Sequence, residues 1–289
     1  MPITTAFFDQ ATSTLSYVVY DAQSLDAILI DPVLDYDPSA SVISTNSLMR
    51  LRTYIKKNKL RVRLILDTHV HADHMSGAFY AKKIFAAPRA IGEDFRKSQA
   101  YFAPFFGLED ELKLYEPAYD FLLKHNQITT AGSLSIKTLL TPGHTPSCSS
   151  FLIDDALFVG DALFMPELGC GRTDFPGANA QTLYYSVKNY IYTCDEQTKI
   201  YVGHDYPAAQ AEPRFMSTVG ESKQKNIMLD NHISEEEFIF KRQQKDQTLQ
   251  PPKLLIPAMQ INILGGQLPQ ANKQEQRFLR LPLSLNFLA

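Results

Sequence analysis

Within "DTHVHADHMSG", residues 67 to 77, stand His69, His71, Asp73 and His74, four lone-pair donors in six positions. Protonated imidazoles held so close would repel one another, so solvation alone is a poor reason for the cluster. Imidazole nitrogens and carboxylate oxygens are what divalent transition metals take up, and a cation bound to neutral imidazoles removes the repulsion. The same coupling of an apolar run to a donor recurs three times: "TPGHT" brings His144, "VGDALF" brings Asp161 and "VGHDY" brings His204. Each donor sits where an apolar strand leaves the core, and a parallel or mixed sheet gathers such ends at one rim. A lone histidine is more often a surface or hydrogen-bonded residue than a ligand, so His125 and His232, alone in polar stretches, are set aside. The chemistry predicted is that of a metal centre.

The elements that must deliver these donors read as alternating short strands and helices. "TLSYVVYD" and "DAILIDPV" are β-rich and bounded by Asp and Pro, as in a hairpin or meander. "NSLMRLRTYIKKNKL" spaces Leu48, Leu51, Ile55 and Leu60 at near-helical intervals. "VRLILDTH" is a compact strand leading into the cluster, and "MSGAFYAKKIF" reads as helix. Further on, "LSIKTLLTPGH" is a strand running to His144, and "SCSSFLID" with "ALFVGDALF" reads as a strand pair with Asp161 at its turn. "NAQTLYYSVKNYIY" reads as an amphipathic helix and "KIYVGHDYP" as a strand ending in His204. N-terminal strands succeed one another without helices between them. That predicts an α/β fold of sheets covered by helices, rather than one fully wound parallel sheet. From about residue 245 the chain is rich in Pro, Gln and Leu. Residues 245–289 are expected to be an extended tail packed on a single domain spanning 1–289. The aromatic "YFAPFFG", residues 101 to 107, is expected to pack in the core rather than form a lid.

With 289 residues, 45% of them hydrophobic and 20% charged, the chain can bury a sizeable core. A formal net charge of −3 offers nucleic acid no basic field, and no long basic run invites an anionic membrane. "MPITTAFFDQ" lacks a basic stretch followed by an apolar one, and no apolar run approaches the roughly 20 residues that cross a bilayer. Cys148, Cys170 and Cys194 form no C-x-x-C pair, and an odd count argues against a disulfide framework. A reducing, cytoplasmic setting is expected.

The motif "THVHADH", followed by His144, Asp161 and His204, resembles the metallo-β-lactamase superfamily, from the N-terminal strands to about "GHDYP". The resemblance implies a four-layer αββα sandwich with metal at one edge of its two sheets, but a fold does not fix a reaction. In dinuclear thioester hydrolases of the glyoxalase II type, His69, His71 and His144 would hold one metal. Asp73, His74 and His204 would hold the other, with Asp161 between them, and a metal-bound hydroxide would attack the thioester. In persulfide dioxygenases the equivalents of His69, His144 and Asp161 bind a single Fe(II), leaving positions open for O₂ and a thiolate-like substrate. His71, Asp73, His74 and His204 would then orient ligands and waters.

"GCGR" suits both families, but the continuation "RTDF" and the motif "GHDYP" look like persulfide dioxygenases. The tail "LIPAMQINILGGQLP" resembles their bacterial β-lactamase-like branch, and no segment resembles the glutathione-binding helical domain of glyoxalase II. The reading is therefore a glutathione persulfide dioxygenase with one Fe(II) per chain. The alternative is a thioester hydrolase with Zn or a dinuclear centre, since the donor set suits Fe, Zn or Mn. The partners implied are glutathione persulfide and O₂, with a homodimer as the assembly and sulfide detoxification as the setting. Tyr206 and Cys170 match family residues near the iron, where Tyr206 is expected to hydrogen-bond within the pocket, to Cys170 among others. Arg172 is expected to grip a glutathione carboxylate with its two-pronged guanidinium, and Arg214 is a second candidate of that kind.

Overall fold

The structure, a computed structural model, describes residues 1–283 except 114, 116 and 209. The chain opens with strands β1 (Ile3–Asp9), β2 (Thr14–Tyr20), β3 (Asp26–Ile30), β4 (Val33–Asp37) and β5 (Val42–Ser44). Helix α1 (Asn46–Lys57), strands β6 (Arg61–Leu66) and β7 (Met75–Ser76) and helix α2 (Ala78–Phe85) follow. Next come β8 (Arg89–Gly92), α3 (Phe95–Phe106), β9 (Phe121–Leu123), β10 (Ile128–Ala131), β11 (Leu134–Leu140), β12 (Ser149–Ile153) and β13 (Ala156–Gly160). The chain continues with α4 (Ala180–Ser186), β14 (Lys199–Val202), β15 (Met216–Thr218), α5 (Val219–Lys225), α6 (Glu235–Asp246) and α7 (Leu255–Asn262).

Two mixed six-stranded sheets form, in the orders β1-β2-β3-β6-β8-β9 and β10-β11-β12-β13-β14-β15. The first begins as an antiparallel meander and turns parallel at β3 and β6. The second is antiparallel except where β13 meets β14. Period-two alternation separates the faces of the first sheet. Leu15, Tyr17, Val19, Ile28, Ile30, Leu64 and Leu66 pack with Ile136, Phe151, Ile153 and Phe158 of the second sheet. The intervening Val18, Leu29 and Ile65 turn outward onto Leu48, Leu51, Ile55, Ala78 and Ala81 of α1 and α2. Leu183 and Phe238, from α4 and α6, join the core on the far side. The result is the expected αββα sandwich. At the rim the sheets are stitched together: Leu15 N donates to Gly203 O at 2.8 Å, and Tyr17 Oη to Val202 O at 2.6 Å.

Three regions depart from the sequence reading. Met75–Ser76, expected at the start of a helix, form strand β7 against β4, and α2 begins only at Ala78. The helix expected over "NAQTLYYSVKNYIY" widens to π-helical turns at Val187–Ile191 after α4. The tail expected to run extended instead contains α7, whose Ala258, Met259, Gln260, Ile261 and Asn262 are all buried. Its composition hid it, because a helix apolar on every side shows no amphipathic period. Residues 284–289 of the expected extension lie outside the described residues. In "YFAPFFG", at the end of α3, Phe102, Ala103 and Phe106 pack against Met259, Ile263 and Leu264 in the core as expected, whereas Tyr101 and Phe105 are exposed. Among the described residues no helix is long and apolar enough to cross a membrane.

Candidate metal centre

Loops after four strands meet at one rim. The loop between β6 and β7 carries His69, His71, Asp73 and His74; His144 lies between β11 and β12; Asp161 follows β13 directly; His204 follows β14. All five histidines are buried. Ligand atoms of His69, His144 and Asp161 lie within 4.8 Å of one another, as do those of His71, Asp73 and His74. His144 Nε2 stands 3.4 Å from Asp161 Oδ2, and His204 Nε2 is 3.1 Å from Asp73 Oδ2 and 3.5 Å from Asp161 Oδ1.

Each imidazole is pinned from behind. Thr68 Oγ1 donates to Asp31 Oδ2 at 2.8 Å, so it is left to accept from His69 Nδ1 at 3.0 Å. His144 Nδ1 donates to Arg172 O at 2.8 Å, His204 Nδ1 to Ser13 O at 3.0 Å, and His71 Nε2 to Asp31 Oδ1 at 3.1 Å. His74 Nδ1 meets Thr14 Oγ1 at 3.2 Å, an oxygen that already accepts from Thr12. These bonds fix the tautomers so that each ring turns a lone pair inward. Three of those inward nitrogens, His69 Nε2, His71 Nδ1 and His74 Nε2, are buried without a hydrogen-bond partner, as is Asp161 Oδ1. Buried polar atoms seldom lack partners. Orphaned acceptors gathered in two adjoining donor sets, His69 with Asp161 and His71 with His74, fit a divalent cation, and the residues present therefore suit a metal.

The electrostatics agree. Burial, reinforced by facing imidazoles, holds His69 and His71 well below the usual histidine range, so both are neutral ligands-in-waiting. Burial also works against charge on His204, but the Asp73 and Asp161 carboxylates outweigh it and raise its pKa. Asp73 is held well below the usual carboxylate range, against its burial, chiefly by His204 and His74. Burial pushes Asp31 and Asp67 up to about 6.

A cavity of about 660 Å³ opens onto His144, Asp161 and Asp73. Cys170, Arg172 and Tyr206 line it, with Phe164, Leu168 and Phe175 as apolar wall. Arg214 does not line it. The Tyr206 ring stacks on His204 with centroids 6.1 Å apart at an interplanar angle of 7°. Among the described residues no hydrogen bond joins Tyr206 to Cys170, whose buried thiol lies instead beside Arg242. Arg172 grips its own neighbour: Nε and Nη2 donate to the two carboxylate oxygens of Asp174, each at 2.6 Å. Arg214 is likewise paired, with Glu167. The sequence reading gave neither acid a role: Asp174 stands inside "RTDF", which served only as a family likeness, and Glu167 lies outside the quoted motifs.

It also missed the supports. Asp31 holds Thr68 and His71 from a left-handed backbone at φ 48°, yet "IDP" read only as the end of a strand. Gly203 is required by contact: a Cβ there would lie 2.6 Å from Asp161 Oδ1. Asn262, in the tail, reaches back to the ligand loop.

Comparison with known proteins agrees with this geometry. Residues 10–204 match the metallo-beta-lactamase superfamily. A beta-lactamase hydrolase-like protein of Xylella fastidiosa is 37% identical over 98% of this chain, which spans only 65% of that protein's length. Glyoxylase B2 of Dictyostelium discoideum is 37% identical over 96% of both chains. The human mitochondrial persulfide dioxygenase ETHE1 is 31% identical over 80% of this chain and 77% of its own. The crystal structure of ETHE1 from Myxococcus xanthus superposes with a TM-score of 0.74 at 29% identity, covering 92% of this chain and all of that one.

Proposed function

This chain belongs to the metallo-beta-lactamase superfamily, and from that footing we propose that it is a persulfide dioxygenase acting on glutathione persulfide. One persulfide, one O₂ and one water would give glutathione, sulfite and two protons; the two sulfurs together lose the four electrons that O₂ gains. The observation that carries the reading is the triad of His69, His144 and Asp161, two imidazoles and one carboxylate within 4.8 Å. Such a set suits a single Fe(II) with positions left open. Similarity to proteins named persulfide dioxygenase and ETHE1 supports it. Fe(II) bound there would supply the redox step between O₂ and sulfur.

The chain's own residues would do the rest. Phe164, Leu168 and Phe175 exclude water from the cavity beside the triad. His204 Nε2, next to Asp73, would hold a proton released by the substrate. Tyr206 would pack against the substrate's sulfur end. Arg172 and Arg214 were the expected carboxylate grips, and each would have to leave its present acid to serve. Lys245 and Lys253 also line the cavity and have no ion-pair partner among the described residues. We assign them the glutathione carboxylates ahead of the two arginines.

One observation favours a second reading. His71 Nδ1 and His74 Nε2 are as unpartnered as His69 Nε2, so a second ion could sit with His71, Asp73 and His74. That arrangement would suit a dinuclear thioester hydrolase. Oxygen uptake decides between them. Iron-loaded protein should consume about one O₂ per glutathione persulfide and release sulfite. Hydrolysis of a glutathione thioester without oxygen uptake would replace the first reading with the second.

A further inference from the structure

Asn262 closes α7, some 190 residues beyond the ligand loop in sequence, and is 1% exposed. Its side chain spends all three of its hydrogen bonds on that loop. Nδ2 donates to His71 O at 2.7 Å and to His74 O at 2.8 Å, while Oδ1 accepts from Ser76 N at 2.8 Å. Two carbonyl acceptors and one N–H donor admit only one orientation of the carboxamide. The loop residues between β6 and β7 belong to no strand or helix, so no ladder is available to satisfy these carbonyls. Without Asn262, two oxygens and an amide would be left buried and unpaired.

A second tie closes the same loop at its ends. Ser76 Oγ donates to Asp67 Oδ2 at 2.6 Å, and Tyr119 Oη donates to the same oxygen at 2.6 Å. The loop therefore leaves and returns at one point, with Asn262 gripping its interior. Holding a residue's carbonyl fixes its peptide plane and so limits the directions open to its side chain. His71 and His74, whose carbonyls Asn262 holds, are two of the residues with orphaned inward nitrogens.

We infer that Asn262 is a positioning residue of the metal centre: through it, helix α7 sets the path of the ligand loop and the direction in which His71 and His74 face the ion. The C-terminal segment is then part of the metal site although it supplies no ligand. The inference needs the loop to bind a metal and does not depend on which reaction the metal serves.

The test is Co(II) titration of metal-free protein, followed by the visible d–d absorption that reports ligand geometry, together with the unfolding temperature of the metal-free form. Asn262→Asp keeps shape and the acceptor for Ser76 N but replaces the donors to both carbonyls with a carboxylate oxygen. Gln260→Leu is the control. Gln260 is buried on the same helix, but its bonds run to Ile256 and Arg280 and not to the loop. Asn262→Asp should bind Co(II) at least tenfold more weakly with an altered spectrum, while Gln260→Leu keeps parental affinity and spectrum at a similar unfolding temperature. Parental Co(II) binding in folded Asn262→Asp, or an equal loss in Gln260→Leu, overturns the inference. Should Asn262→Asp not fold, Asn262→Ser carries the comparison. If neither folds while Gln260→Leu does, the residue serves the whole fold and the inference falls. No step here reads activity, so failure of persulfide oxidation leaves the result standing.

Discussion

Asp161 Oδ2 stands 3.4 Å from His144 Nε2, although the two residues come from different loops of the second sheet. Each is fixed independently, His144 by the carbonyl of Arg172 and Asp161 by its place at the end of β13. Two anchored donors facing one another are well placed to share a cation.

Replacing His144 with Ala removes one of three donors from that set. The variant should keep less than about a tenth of the parent's iron, since loss even of an outer-shell partner commonly costs 10–100-fold in affinity. Elemental analysis of the purified variant checks this, and a parental iron content would remove His144 from the ligand set.

Thr68→Val breaks the chain from Asp31 through Thr68 to His69 while leaving every proposed ligand in place. Metal affinity should fall by about 10–100-fold with stoichiometry unchanged. Chelator competition measures it. Unaltered affinity would mean that the tautomer of His69 is set by something other than Thr68.

The cysteines bear on reactivity. Burial pushes the Cys170 thiol up to about 11 and Cys148 up to about 12. A raised thiol pKa keeps the unreactive protonated form at neutral pH, and thiolate appears only as pH climbs towards that value. At pH 8 Cys170 should be about 0.1% ionised against roughly a tenth or more for an ordinary thiol, and so alkylate about 100-fold more slowly than in the unfolded chain. Mass-spectrometric mapping after iodoacetamide treatment would show it. Rapid native labelling of Cys170 would contradict the burial argument.

Substrate recognition separates the cations around the cavity. Lys245→Ala and Lys253→Ala should each raise KM for glutathione persulfide several-fold with kcat little changed, because a charge contact remote from sulfur contributes uniform binding. Arg172→Ala should have the smaller effect, since its guanidinium is already held by Asp174. Steady-state kinetics on the three variants orders them. A dominant effect at Arg172 would restore it as the carboxylate grip.

Much of this centre was legible in the sequence, because its donors stand at the ends of apolar strands and those strands announce themselves by composition. "VRLILDTH" and "ALFVGDALF" specify both the element and the residue it delivers. The supports were not legible. Asp31 lies in a turn-like "IDP", and only the fold reveals that its carboxylate faces Thr68 and His71. Asn262 sits in a helix that is buried all round, and its partners lie about 190 residues away. Arg172 misled for a related reason: its type suits a carboxylate, but its partner two residues on claimed the guanidinium first. Local pattern shows which residues could act, whereas long-range pairing decides which of them are free to.

The central claim is that His69, His144 and Asp161 together hold one redox-active ion. Metal analysis of anaerobically purified protein tests it most directly. About one iron per chain, lost together with persulfide-dependent oxygen uptake when any of the three is substituted, is the predicted result. Two zinc ions per chain, with iron absent and no oxygen uptake, would contradict it.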